Sequence, residues 1–125
     1  VEIENVWVTD VGFQGVQVGT ADKDVFVVDT FVDGTGDDGI AIAYTGDVKG
    51  DAYVVETQVI DTGGNGIYSG GTGRQLFVLD TTIAEATEHG IFASGGSGLS
   101  VIQSTIADMW RSKPPGMKTF NRPAG

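Results

Sequence analysis

Four glycines in this 125-residue chain are each followed by a β-branched residue and preceded by a polar one: Gln14-Gly15-Val16, Asp38-Gly39-Ile40, Asn65-Gly66-Ile67 and His89-Gly90-Ile91. Asp37 and Glu88 stand one place earlier in two of these units, and Tyr68 and Phe92 follow the isoleucine in two. Set side by side, the units bring carboxylates, an amide and the chain's single histidine next to an aromatic pair. That is the composition of a carbohydrate groove. Aromatic faces cover sugar C–H surfaces, Asp, Asn and His bind hydroxyls, and two carboxylates can divide the acid and base work of glycoside cleavage. Asp37, Asp38, Glu88 and His89 are therefore the catalytic candidates, and Asn65, Tyr68 and Phe92 the sugar contacts. A plainer reading stands beside this one: Asp-Asp-Gly and Asn-Gly are ordinary turn sequences, and the two rings can pack under a loop.

Such a site needs a repeat to assemble it. The four glycines are 24, 27 and 24 residues apart, and nine residues before the last three lie Thr30, Thr57 and Thr81. Asn5 and Ser104 fill the corresponding place in a first and a fifth unit, and the apolar residue two places on is Trp7, Val32, Val59, Ile83 or Ile106. Short apolar runs alternate with Gly, Asp and Thr turns, and no helical stripe of useful length occurs. One unit cannot bury its apolar side, whereas stacked units share a continuous core. Stacking puts Phe26, Tyr53 and Phe77 in one column and Val27, Val54, Val78 and Val101 in the next. Ile40, Ile67 and Ile91 then point inward, and Ala41, Tyr68 and Phe92 outward. The Thr/Ser ladder fits a bend where hydroxyls bond the adjoining rung and the turn backbone.

The repeated Gly-Ile step and the Asn/Thr/Ser ladder resemble the right-handed parallel β-helix superfamily, the pectin-lyase-like fold, over residues 3–110. The resemblance implies an all-β, right-handed parallel β-helix (solenoid) of about five coils with an irregular C-terminal tail. The coils fall near 1–23, 24–50, 51–73, 74–98 and 99–110, and 111–125 forms a Pro-containing basic tail, a cap or a docking segment. Polysaccharide lyases, hydrolases and epimerases, viral tailspikes and adhesins share that fold. Asp37-Asp38-Gly39-Ile40 is similar to the Asp-Asp pair of the polygalacturonases, and His89-Gly90-Ile91 to their Gly-His-Gly step. However, Gln14 replaces the Asp one coil before, the histidine stands a coil too far on, and the Arg-x-Lys clamp has no counterpart, so that activity does not carry over. Gly70-Gly71-Thr72-Gly73 and Gly95-Gly96-Ser97-Gly98 are read as turns, because calcium-binding nonapeptides need Asp where Gln75 and Ser100 stand.

Charge narrows the partners. Seventeen acidic residues oppose seven basic ones, and four of the seven (Arg111, Lys113, Lys118, Arg122) follow Trp110. A net charge of −10 disfavours nucleic acid and anionic membrane surfaces, and no apolar run is long enough to insert in a membrane. The acidic balance is that of proteins kept hydrated in high salt. Cysteine is absent, which removes thiolate chemistry and disulfides. Val1 is read as a processed or excised start. Glu4, Asp29, Glu56 and Asp80 share one column, which reads either as a solvated edge or as a string of weak Ca²⁺ sites with shared carboxylates. No cofactor is required beyond that.

Two functions follow. One is an extracellular or surface-displayed module that binds a polysaccharide or surface glycan. If it cleaves the glycan, it is a hydrolase rather than a lyase, since none of Lys23, Lys49 and Arg74 falls in the cluster's columns. The other is a structural or adhesive β-helix of a cell or virion surface (a tailspike, surface-layer or filament component) that stacks end to end as a homo-oligomer. A piece of a larger enzyme is a third arrangement. Met109, Trp110 and Phe120 are expected to cap the last rung.

Overall fold

The computed structural model describes residues 1–43, 48–70, 75–94 and 98–107. The expected cap residues, the basic tail and the inner parts of the two Gly-rich strings lie outside these residues. The described chain is all β. Four turns of three strands follow one another: β1 (Glu2–Glu4), β2 (Trp7–Val11) and β3 (Val16–Val18); β4 (Val25–Val28), β5 (Phe31–Thr35) and β6 (Ile40–Ile42); β7 (Ala52–Val55), β8 (Gln58–Thr62) and β9 (Ile67–Ser69); β10 (Gln75–Leu79), β11 (Thr82–Ala86) and β12 (Ile91–Ala93). Then β13 (Gly98–Ile102) and β14 (Thr105–Ala107) add a rung to two of the sheets. Each strand pairs in parallel with its counterpart one turn away. The result is a β-solenoid with three walls: sheet A (β1-β4-β7-β10-β13), sheet B (β2-β5-β8-β11-β14) and sheet C (β3-β6-β9-β12). Among the described residues no helix is long and apolar enough to cross a membrane.

Period-two alternation along the strands builds the core. Val27, Val54 and Val78 from sheet A, Val32, Val59 and Ile83 from sheet B, and Ile40 and Ile67 from sheet C are fully buried. The expected columns form: Phe26, Tyr53 and Phe77 pair in register, as do Val27, Val54, Val78 and Val101. The three rings stack with centroids 4.9 Å apart and planes within 10° of parallel.

The hydroxyl ladder forms at the bend between sheets A and B. The N–H of Thr30 donates to Thr57 Oγ1 (3.3 Å), that of Thr57 to Thr81 Oγ1 (3.4 Å) and that of Thr81 to Ser104 Oγ (3.1 Å). Each hydroxyl in turn donates to the carbonyl two residues before its own: Val28, Val55, Leu79 and Ile102. Thus one oxygen serves both its own turn and the next rung.

The first turn departs from the expected alignment by one residue. Glu4 pairs with Val28 and Trp7 with Phe31, so Asn5 faces Asp29 and Val8, not Trp7, takes the inward place of Val32. Trp7 is 76 % exposed and meets Phe31 edge to face at 5.2 Å. Asn5 and Asp29 both hold left-handed backbone, with φ of 57° and 49°. A short polar side chain tolerates that conformation best, and the turn aligns by it rather than by the threonine that follows.

The Gly of the Gly-Ile step is a space requirement. A Cβ on Gly39 would stand 2.3 Å from Val59 Cγ1 and 2.7 Å from the Gly66 carbonyl oxygen; one on Gly66 would meet Ile83 Cγ2 at 2.4 Å and the Gly90 carbonyl oxygen at 2.6 Å. Here the corner entering sheet C lies against sheet B of the next turn with no room for a methyl. Gly66→Ala is expected to lower stability by about 1–3 kcal/mol through overpacking. Thr57→Val should cost a similar ~1–3 kcal/mol by stranding the Thr30 N–H. Urea unfolding of both variants checks this, and a change below the error of the fit in either would contradict the corresponding contact.

Candidate functional site

The candidate residues gather at the corner between sheets B and C and on the outer face of sheet C. The glycines of the four units fix the register, so Gln14, Asp38, Asn65 and His89 form one column and Phe13, Asp37, Gly64 and Glu88 its neighbour. The corner is held by backbone bonds between successive turns: Asp37 N–H to the Phe13 carbonyl (3.4 Å), Gly64 N–H to Asp37 (3.1 Å) and Glu88 N–H to Gly64 (3.0 Å).

The side chains of the first column are largely committed to the same task. Asp38 is 3 % exposed, and its Oδ1 accepts the Asn65 N–H at 2.8 Å. Asn65, also buried, turns its own Oδ1 to the next rung and accepts the His89 N–H at 3.1 Å. Burial pushes the Asp38 carboxyl above the usual aspartate range. The bond from Asn65 opposes that shift, and the charges of Asp37 and Glu88 add to it. Asp38 and Asn65 thus sit where the sequence put them, yet as buried corner acceptors rather than as groups facing a ligand.

The accessible members are different ones. Asp37 is half-buried and Glu88 and His89 are exposed. Asp37 Oδ2 accepts a bond from Gln14 Nε2 at 3.1 Å, and its Oδ1 leans over Gly64, 2.6 Å from where a Cβ would stand. Gly64 is buried, and Asp38 Oδ1 also lies 2.8 Å from where its Cβ would stand, so two carboxylates fill that place; Asp37 is one rung below Gly64 and Glu88 one rung above. Two rungs are roughly 10 Å, near the upper end of the carboxyl separations of inverting acid–base pairs. His89 Nδ1 lies 3.0 Å from Asn65 Oδ1. That oxygen also accepts the His89 backbone N–H, so Nδ1 faces an acceptor and is assigned as the donor of this contact.

The aromatic pair forms as expected. Tyr68 and Phe92 pair in register on β9 and β12, with centroids 5.9 Å apart and planes 7° from parallel. Phe92 is 38 % exposed, and His89 lies against it at 5.2 Å, tilted by 53°. Ala41 occupies the outward place one rung below Tyr68 but is fully buried. Its methyl is the shortest member of a column that otherwise carries Gln17, Tyr68 and Phe92. Tyr68 OH lies 3.3 Å from Ser94 Oγ, which ties the ring to the following turn. A hollow of about 510 Å³ opens elsewhere, beside Val1, Glu2, Lys23, Asp24 and Phe26.

The acidic column resolves into a turn column. Register puts Asn5, not Glu4, below Asp29, Glu56 and Asp80, and Gln103 above them. All five hold φ between 48° and 57°. Asp29, Glu56 and Asp80 are exposed, and among the described residues no three Asp, Glu or His side chains cluster as a metal cage. A second left-handed column, Asp10, Gly34, Asp61 and Glu85, runs up sheet B. The sequence reading missed it. Its signal is the small or acidic residue three places after each start of β2, β5, β8 and β11.

Asp38→Asn preserves an oxygen for the Asn65 N–H and is expected to fold normally, whereas Asp38→Ala strands that donor and should cost about 1–3 kcal/mol. The folded pKa of Asp38 is raised, so the folded state holds its proton more tightly. Stability should therefore fall as pH rises through the window between the ordinary aspartate value and the folded one. Asp38→Asn should flatten that stretch of a stability-against-pH curve; an unchanged curve would assign the shift to another group. In the turn column, Glu56→Asn should stabilise by about 1 kcal/mol, since Asn accepts left-handed backbone more readily than Glu. Added Ca²⁺ should leave the melting temperatures of wild type and variant equally unmoved; a rise in wild type that Glu56→Asn abolishes would make the column a cation site.

No protein-family model, no curated protein and no solved structure matches the chain.

Proposed function

We propose that the chain is a glycan-binding β-solenoid module, displayed outside the cell or on a cell or virion surface, whose ligand lies across the outer face of sheet C. The observation that carries this reading is the Tyr68–Phe92 pair: two parallel rings on adjacent rungs, bordered by His89 and by the carboxylates of Asp37 and Glu88. Rings at rung spacing offer apolar surface for sugar C–H groups, and the flanking acceptors suit hydroxyls. The described basic residues, Lys23 and Lys49, lie at the opposite corner, between sheets C and A. The ligand class is therefore neutral or amino sugars rather than uronates, which would meet uncompensated carboxylates. The stacked rungs and the Gly-Ile and hydroxyl ladders support kinship with the right-handed, pectin-lyase-like β-helices.

Hydrolysis is the second reading, favoured by Asp37 and Glu88 standing two rungs apart on either side of Gly64. In that reading Glu88 and Asp37 share the acid and base roles, and buried Asp38 supports the corner.

The test is binding and reducing-end release on a panel of neutral, amino and acidic polysaccharides, at low and high salt. Tyr68→Ala and Phe92→Ala should each weaken binding by about tenfold, the loss expected for one buried aromatic contact, with the far-UV spectrum unchanged. Release abolished by Asp37→Asn or Glu88→Gln, with binding retained, would make the module a hydrolase. Binding untouched by both aromatic variants, or found only with uronates, would remove the sheet C reading. The weight would then move to a structural, end-stacking solenoid.

A further inference from the structure

The outward columns differ from wall to wall. On sheet B one reads Trp7, Phe31, Gln58, Thr82 and Thr105, and on sheet C the column reads Gln17, Ala41, Tyr68 and Phe92. Sheet A carries two apolar columns side by side over three consecutive rungs: Phe26, Tyr53 and Phe77 in one, Val28, Val55 and Leu79 in the other. All six side chains are half-buried, so each keeps part of its surface in solvent. The three rings stack with planes within 10° of parallel. The columns are two residues apart along the strands, roughly 7 Å, and a conjugated ring is about 3.5 Å thick. Together they wall a shallow channel that runs along the solenoid axis, across the strands.

Both columns begin at a carboxylate. Register puts Glu2 beside Phe26 and Glu4 beside Val28, and both glutamates are exposed. At the far end the neighbours are uncharged, Ser100 beside Phe77 and Ile102 beside Leu79. The long margins are acidic as well. At the corner entering sheet A, Asp24 Oδ1 accepts the Asp51 N–H (2.8 Å) and Asp51 Oδ1 accepts the Gln75 N–H (2.9 Å). At the bend leaving it, Asp29, Glu56 and Asp80 are exposed. Among the described residues Lys23 and Lys49 are the cations near the first margin, two against these seven carboxylates. Burial and the charges of Asp24 and Asp51 hold the Tyr53 phenol above its usual range, so the negative field reaches the ring stack.

Size decides what kind of molecule fits. Three rungs extend roughly 15 Å along the axis, and the two columns span about 10 Å across it. A footprint of roughly 150 Å² is far below the ~800 Å² per partner of a stable protein interface. It matches a conjugated molecule of two or three rings, whose faces cover the apolar ladder and whose positive charge meets the carboxylates.

We infer that the sheet A channel binds a flat, cationic aromatic molecule lengthwise over Phe26, Tyr53 and Phe77, with its charged end toward Glu2 and Glu4. The site lies on a different wall from the sheet C face to which sugar binding is assigned, and it stands or falls independently of that assignment. The sheet C ring pair is too short for the same ligand, since Ala41 follows Tyr68 on the next rung.

The probe is thioflavin T, a flat benzothiazole cation, titrated into the full chain at low salt with its fluorescence as the readout. Emission should rise saturably and remain with protein that does not sediment. Tyr53→Lys sets an ammonium in the channel and should weaken binding by about tenfold or more, with the far-UV spectrum unchanged. Glu2→Gln combined with Glu4→Gln alters exposed side chains only, so it tests the site without disturbing the core. It should weaken the cation by about fivefold at low salt and far less at high salt, while an uncharged benzothiazole of the same ring system binds both proteins alike. Tyr68→Ala and Phe92→Ala should leave the titration as it is in wild type. A signal that sediments, that survives Tyr53→Lys or that ignores the glutamate pair would overturn the proposal. A signal lost in Tyr68→Ala would overturn it too, moving the probe to sheet C.

Discussion

Neighbouring turns of the solenoid stand about 4.8 Å apart, and at every corner the chain leaves one sheet for the next while its N–H groups still need acceptors. Because an unpaired buried donor costs about 1–3 kcal/mol, the corners are where a stack of this kind would fail. Side-chain oxygens prevent it at all three. Thr57, Thr81 and Ser104 hydroxyls accept from the turn before. The oxygens of Asp38 and Asn65 accept from the turn after, and so do those of Asp24 and Asp51. The rung spacing is thus set by the sheets and carried around the bends by short polar side chains. The three walls then meet closely enough that Gly15, Gly39 and Gly66 have no room for a methyl.

This requirement changes the meaning of the polar residues near the Gly-Ile step. A buried carboxylate beside two others invites a catalytic reading, and Asp38 has the raised pKa to match. Yet its oxygen is engaged by the backbone of the next rung, as is that of Asn65. What remains at least partly exposed is the neighbouring column, where Asp37 and Glu88 flank Gly64, and the outward aromatic pair. The corner ladder also orients the imidazole. With Asn65 Oδ1 accepting from both the backbone and Nδ1 of His89, the free nitrogen is Nε2, on an exposed side chain beside Phe92.

The outer faces divide along chemical lines. Sheet C presents two aromatic rings among hydrogen-bonding groups, a mixture suited to a hydroxylated ligand. Sheet A presents six apolar side chains between two acidic edges, a mixture suited to a flat cationic ligand. The outward positions of sheet B are mixed, and its second left-handed column bends each strand at Asp10, Gly34, Asp61 or Glu85.

The sequence by itself determined the stacking. A spacing near 24 residues, Thr30, Thr57, Thr81 and Ser104 at one place in successive units and a β-branched residue after Gly15, Gly39, Gly66 and Gly90 are satisfied together by short parallel strands that repeat in register. The aromatic column, the inward valines and the Tyr68–Phe92 pair follow from that register with period-two alternation. Tertiary structure alone decided how the first turn aligns, because Glu4-Asn5 offers two positions one residue apart and the left-handed turn, absent from any residue pattern, selects Asn5. It also decided which polar residues face solvent. Asp37 and Asp38 are identical and adjacent in sequence and both turn an oxygen toward Gly64, but Asp38 is buried and accepts the next rung's N–H while Asp37 is half-buried. Only the arrival of Asn65 from 27 residues away, with its N–H in need of an acceptor, separates a corner acceptor from a group free to meet a ligand.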